Sequence, residues 1–135
     1  MSKQINIGDK LPELDIPITA LQIVSGAIAT QDFENVHHDK AAAQAAGTPD
    51  IFMNILTTNG LVGRYLTDWA GAEARLKRIK LRLGAPNFPG DTMTLSGKVS
   101  ANENDIVEIE FKGKNGLGNH VTGVASLTFA DRLGV

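Results

Sequence analysis

A change of hydrophobic period at Gly71 limits what this chain can fold into more than any other feature. Before it, residues 51–67 carry Phe52, Met53, Ile55, Leu56, Leu61, Val62, Tyr65 and Leu66, a helix pattern with little polar face. Such a helix is roughly 25 Å long at ~1.5 Å per residue. Apolar nearly all round, it reads as a core helix. After Gly71 the period is two: Arg78-Ile79-Lys80-Leu81-Arg82-Leu83 alternates strictly, as a half-buried strand does. Further strands are predicted over 92–100, 106–112 and 120–129. Between them lie 85–91, with Pro86, Pro89 and Gly90, then 102–105, then Lys114-Asn115-Gly116-Leu117-Gly118. Three tight connections in succession predict an antiparallel meander. The expected class is α+β, one domain over 1–135.

The first half of the chain reads as lead-in and short helices. Pro12 and Pro17 rule out a long central strand or helix over 5–18. Thr19 is a helix cap for 20–30, with Leu21, Val24, Ala27 and Ile28 on one face. Residues 31–38 are polar loop. Asp39 caps an Ala-rich helix over 40–46, which Gly47 stops, and Thr48-Pro49-Asp50 opens the long helix. Gly60 and Gly63 each cost that helix ~1 kcal/mol against Ala; the pattern predicts another backbone close by.

Composition narrows the function. A chain of 135 residues can bury a real core without staples. A net charge of −2 gives no support for nucleic-acid binding. Cysteine is absent, which excludes disulfides, thiolate zinc sites and a cysteine nucleophile. The first residues lack the apolar core of a signal peptide, and no stretch approaches the about 18 apolar residues of a membrane span. The expectation is a cytoplasmic protein with no membrane contact.

The chemistry-bearing stretch is Asp32-Phe33-Glu34-Asn35-Val36-His37-His38-Asp39, set just before the long helix. A carboxylate and an imidazole against an apolar wall suit the addition or removal of water. An Asp and a His at this spacing are by themselves a weak signal: the same residues serve as well in a loop hydrogen bond. His38 reads as structural and Asp39 as a cap. A metal at His37, His38 and Asp39 is disfavoured, because adjacent histidines point to different sides, and no metal is expected. Met53, Met93 and the aromatic residues read first as core. Arg78, Lys80 and Arg82, with Arg75 and Lys77 nearby, form a basic stripe that a solvated strand face explains. His120 follows a turn and is expected at the surface. Gly116 and Gly118 are turn glycines, with no helix after them to make a dinucleotide site.

The run Asp32-Phe33-Glu34-Asn35-Val36-His37-His38-Asp39 resembles the hydratase motif of the MaoC-like, (R)-specific enoyl-CoA hydratases. Leu61-Val62-Gly63-Arg64-Tyr65-Leu66-Thr67-Asp68-Trp69 looks like the end of that family's central helix. Pro89-Gly90-Asp91-Thr92 and Gly97-Lys98-Val99 look like its turn into the next strand. The resemblance covers about residues 8–130. With Ala29-Thr30-Gln31-Asp32-Phe33, Asp50-Ile51-Phe52-Met53-Asn54-Ile55-Leu56-Thr57 and Thr67-Asp68-Trp69-Ala70-Gly71, it is nearest to the small subunit of heteromeric hydratases of steroid side-chain degradation. It implies a hot-dog fold, the helix wrapped by a curved sheet. It also implies that Asp32 and His37 hold the water added across the 2,3 double bond of an acyl-CoA thioester.

The resemblance implies no cofactor beyond the coenzyme A of the substrate. It implies a partner, either a second hot-dog chain or another copy. The backbone N–H of Asn54 would face the thioester oxygen, with Asn35 and Met53 beside the substrate. Arg78, Lys80 and Arg82 would meet the coenzyme A phosphates. Two departures stand out: Glu34-Asn35 replaces the family's Asn-Pro, and Asn54 replaces a Gly whose N–H serves the thioester. The Asn54 side chain is therefore expected to crowd the site. Four functions follow: a heteromeric hydratase of a bulky acyl-CoA, a homodimeric hydratase of short linear enoyl-CoAs, a non-catalytic acyl-CoA-binding subunit, and a thioesterase that would not need His37.

Overall fold

The computed structural model describes residues 4–129. Its order is β1 (Lys10–Pro17), α1 (Ala20–Ala29), a 3-10 turn (Asn35–His37), α2 (Lys40–Ala45), α3 (Ile55–Ala70), β2 (Ala74–Leu83), β3 (Thr92–Glu103), β4 (Ile106–Asn115) and β5 (Gly118–Phe129). The strands make one antiparallel sheet in the order β1-β3-β4-β5-β2, with α3 packed on one face.

Strand alternation builds the core. In β4 the residues Val107, Ile109, Phe111, Gly113 and Asn115 are all buried, while those between are not. They meet Met93, Leu95 and Val99 of β3, Val121, Ala125 and Leu127 of β5, and Val62, Tyr65, Leu66 and Ala70 of α3 in one core. Asn104 and Asp105, with φ of 57° and 63°, form the two-residue turn between β3 and β4. Two positive φ angles match the right-handed strand twist.

The first predicted turn is a correction. β2 and β3 do not pair; residues 84–91 carry the chain from one side of the sheet across to β3. The cause is local. Gly84 and Ala85 donate to the carbonyls of His120 and Asn119, which commits β2 to β5. The prolines limit β1 as predicted: it is an edge strand, and its pairing with β3 slips between Leu11 and Leu14, around Pro12.

The long helix also differs. It starts at Ile55 rather than at residue 51, because Met53 N–H donates to the Asn87 carbonyl (3.1 Å) and keeps residues 51–54 out of the helix. Asn54 is the cap, its Oδ1 accepting from Thr57 N–H. Nor is α3 buried all round. Thr58, Val62, Tyr65, Leu66 and Ala70 face the sheet, while Ile55, Leu56, Asn59 and Gly60 are exposed. Nothing stands within 4 Å of a side chain built at Gly60, and Gly63 faces only Leu76 and Ile79 at ordinary contact distance. Among the helix glycines, the one that allows close approach is Gly26 of α1, where a side chain would collide with Thr57. This brings α1 down onto the first turn of α3. The face of α1 is corrected with it: Ile23 and Ala27 point inward, and Leu21 and Ile28 are exposed.

Both short-range caps are as expected. Thr19 Oγ1 accepts from Gln22 N–H, and Asp39 accepts from Ala41 and Ala42 N–H. At the far end of α3 the buried Tyr65 hydroxyl donates to the Pro12 carbonyl (2.7 Å) and pins the helix to β1. Burial and the nearby Glu13 push its pKa up to about 12.

His120 is not at the surface. Gly113 pairs with Val121 and Lys114 with Asn119, which leaves His120 as the extra residue of a bulge. A bulge re-aims its side chain, here into the core at 2% exposure. Its Nδ1 lies 2.7 Å from the Ala85 carbonyl and its Nε2 2.7 Å from Thr58 Oγ1 of α3. A carbonyl only accepts, so Nδ1 carries the proton and the Thr58 hydroxyl donates to Nε2. Burial lowers the pKa of this imidazole against the opposing pull of the Ala85 carbonyl. The unfolded chain therefore takes up the proton first as pH falls. The stability from neutral His120 is full above about pH 6.5 and is lost as pH drops from there toward the folded value. Urea unfolding between pH 7.5 and 5 should show a steeper acid loss in the native chain than in His120→Asn, the difference reaching at most about 1.4 kcal/mol per pH unit. Equal slopes would mean that His120 does not hold the neutral form.

Candidate active site

Asp32 owes its place to the end of α1. Asp32 N–H donates to the Ala27 carbonyl (2.8 Å) and Gln31 N–H to the Ile28 carbonyl (3.0 Å). These are the two bonds of a Schellman cap. Gln31 sits at its left-handed position, with φ of 60°, where glycine is usual. The cap turns the chain sharply and aims Asp32 back over the start of α3.

His37 closes the following 3-10 turn and is 7% exposed. Its Nδ1 lies 2.7 Å from the Phe52 carbonyl, so the proton sits on Nδ1 and the Nε2 lone pair is left for the site. Nε2 is 3.4 Å from Asp32 Oδ2. The Phe52 ring stands edge-on to the imidazole, with centroids 5.0 Å apart. His38 has the structural role expected of it, its Nε2 lying 2.9 Å from the Asp32 backbone carbonyl.

Asp32 stays readily ionised. Its pKa is lowered first by the hydrogen bond from Asn54, then by Glu34 N–H, with His37 and His38 adding a smaller pull against the opposing effect of desolvation. Asn54 Nδ2 lies 3.0 Å from Asp32 Oδ2 and 3.0 Å from Thr30 Oγ1. The expected crowding is therefore corrected: this side chain turns away to bridge Asp32, Thr30 and Thr57, and is 3% exposed. The backbone N–H groups of Asn54 and Ile55 have no hydrogen-bond partner among the described residues. They face outward from a helix N-terminus, where developing negative charge is stabilised.

The other named residues are placed as follows. Asn35 is exposed at the start of the 3-10 turn and gives its carbonyl to His38 and Asp39 N–H. Met53 is buried, its sulfur 3.7 Å from Asn87 Nδ2, so its side chain belongs to the core. Arg78, Lys80 and Arg82 lie exposed on the edge strand β2, alternating with the half-buried Ile79, Leu81 and Leu83 that pack on the core. They form an exposed basic stripe, with no hydrogen bond or ion pair to Asp32 or His37 among the described residues. No cluster of three metal-ligating side chains occurs among the described residues, and no described helix is long and apolar enough to cross a membrane.

Sequence reasoning missed the Asn54 side chain, Thr30 and the buried pair Asn87–Asn115. Asn115 Nδ2 donates to Asn87 Oδ1 and to the Pro86 carbonyl, both at 2.9 Å, and so fixes the segment that receives Met53 N–H. Only the cap potential of Asn54 was readable beforehand, and the long-helix boundary hid it.

One antiparallel sheet packed on a long central helix is the hot-dog arrangement, and here a carboxylate and an imidazole stand at that helix's N-terminus. A family model described as a MaoC-like domain matches residues 3–120, and the chain belongs to that family. It is 49% identical over 125 residues to the 3-oxo-4,17-pregnadiene-20-carboxyl-CoA hydratase beta subunit of Mycobacterium tuberculosis (strain ATCC 25618 / H37Rv), covering 93% of this chain and 97% of that protein. It superposes with a TM-score of 0.91 on a chain of the ChsH1–ChsH2 complex from Mycobacterium tuberculosis, at 48% identity, covering 93% of this chain and 99% of that one. The (R)-hydratase from A. caviae involved in PHA biosynthesis matches with a TM-score of 0.85 over 95% of this chain and 99% of its own. At 21% identity that likeness speaks for the fold alone.

Proposed function

We propose that this chain is the catalytic half of a heteromeric enoyl-CoA hydratase acting on a steroid side-chain CoA ester. The observation that carries the chemistry is the pairing of Asp32 Oδ2 with His37 Nε2 at 3.4 Å, the far side of the imidazole being tied to the Phe52 carbonyl. Both atoms are free to accept a proton, and one water can touch both. As the water oxygen adds to the β-carbon, one of its protons passes to the pair. The pair returns a proton to the α-carbon on the same face, so the addition is syn. One O–H bond and the C=C π bond break, and one C–O and one C–H bond form. The enolate-like charge on the thioester oxygen is met by the N–H groups of Asn54 and Ile55 at the α3 N-terminus. No cofactor takes part beyond the coenzyme A of the substrate. Arg78, Lys80 and Arg82 are assigned to the coenzyme A phosphates on charge alone.

The substrate and the partner rest on the 49% identical hydratase subunit and on the ChsH1–ChsH2 complex, one chain of which matches over 99% of its length. A cytoplasmic location fits a substrate activated with coenzyme A. The experiment is hydration of a steroid side-chain enoyl-CoA, followed by loss of enone absorbance, with the chain alone and with a co-expressed MaoC-like partner. Turnover only with the partner is expected. Full activity alone, on crotonyl-CoA, would make the chain a self-sufficient homodimeric enzyme. Binding without turnover in both would make it a binding subunit, and release of free coenzyme A a thioesterase.

A further inference from the structure

We propose that the Asn54 side chain is a positioning residue, whose amide locks the Asp32 carboxylate in the orientation that faces His37. This deepens the hydratase reading and rests on it. The amide reaches the same oxygen, Asp32 Oδ2, that faces His37 Nε2. It thereby fixes the reacting atom rather than the spectator oxygen, which Glu34 N–H holds (3.3 Å).

The amide has no freedom to turn. Both Nδ2 hydrogens are used, one on Asp32 and one on Thr30 Oγ1. Thr30 accepts because its own hydrogen goes back to the α1 carbonyls of Gly26 (2.8 Å) and Ala27 (3.1 Å). On the other side Asn54 Oδ1 takes Thr57 N–H (3.0 Å) and the Thr57 hydroxyl. Rotating the amide by half a turn would set a carbonyl against a carboxylate and an NH2 against an N–H. Every hydrogen-bonding site of this buried group is thus matched in one orientation only. The clamp also spans the α1–α3 junction, which ties the end of one helix to the start of the other.

The amide's neutrality is part of its role. An ammonium or guanidinium here would bind the carboxylate as an ion pair and hold it from the water. An amide stabilises the ionised form while leaving it able to take and return a proton. Among the described residues the titratable groups acting on Asp32 are His37 and His38, and from the start of α3 it meets the Asn54 amide.

Asn54→Ser separates this role from simple helix capping. Serine caps a helix as well as asparagine does, but it is too short to reach Asp32. In the partnered complex, Asn54→Ser should keep its melting temperature within a few degrees and KM within about twofold. Its kcat should fall about 10- to 100-fold, the loss expected of a misplaced catalytic group. The acid limb of its kcat/KM profile should move to higher pH. Carboxyl 13C NMR of Asp32 in both proteins should show the same upward move without any turnover. A native-like rate and profile in a well-folded variant would overturn the proposal. An inactive native complex would sink the hydratase reading instead, and an Asp32 titration unchanged by the substitution would then still decide against the clamp.

Discussion

Asp32→Asn and His37→Ala should each lower hydration by about 10²- to 10⁴-fold, the range that a positioned acid or base contributes. Asparagine keeps the shape of Asp32 and can still receive Glu34 N–H, but it cannot take a proton from water. Alanine at 37 removes the Nε2 lone pair that faces Asp32 and frees the Phe52 carbonyl. Losing that part-buried hydrogen bond costs about 1 kcal/mol, too little to unfold a domain of this size. The decisive comparison is kcat/KM for the partnered complex beside an unfolding curve for each variant. Normal turnover by either well-folded variant would remove the pair from the mechanism.

Gly123→Ala should be the most damaging small change outside the site. Gly123 stands opposite Leu81 on β2 and Phe111 on β4. An added methyl carbon would lie 2.6 Å from Phe111 Cζ and 3.0 Å from Leu81 Cα, and closer still to the Lys80 carbonyl oxygen. The ring could turn only into a filled core, where Phe111 is 4% exposed. The carbonyl and Cα belong to the β2 backbone, which can retreat only by breaking its ladder with β5. Overpacking of this kind costs about 3 kcal/mol, or roughly 10 °C in melting temperature. A thermal scan and a urea curve would measure it. A shift of a degree or two would mean that β2 moves outward at little cost, as a weakly held edge strand would.

The two effects probe different layers. The first touches side chains whose positions come from helix ends and a 3-10 turn. The second touches the sheet that those helix ends rest on.

Much of this was legible in the order of residues, and for a physical reason. Alternation along residues 78–83 of β2, the Thr19 and Asp39 caps and the proline-limited edge strand β1 depend on neighbours within a few residues. Short-range sterics and hydrogen bonding act the same way in any fold. The pair Asp32–His37 was visible because both lie on one short loop ahead of an apolar helix. The likeness to MaoC-like hydratases then singled it out from the many chance pairings of an Asp with a His.

What stayed hidden depends on partners distant in the chain. The start of α3 moved from residue 51 to Ile55 because Asn87, more than thirty positions on, claims Met53 N–H. His120 went inside because a bulge opposite Lys114 shifted the register, and a one-residue slip reverses which side of a sheet a side chain faces. The close approach fell at Gly26 rather than Gly60 because only the packing of α1 on α3 determines where the Thr57 side chain meets the α1 backbone. Asn54 belongs to both levels. Its capping bond to Thr57 is local chemistry, while its grip on Asp32 and Thr30 exists only once α1 has been folded down onto α3. Local periodicity and capping thus specified the elements and set Asp32 and His37 on one short stretch, while long-range pairing chose which groups surround the two side chains and hold them still.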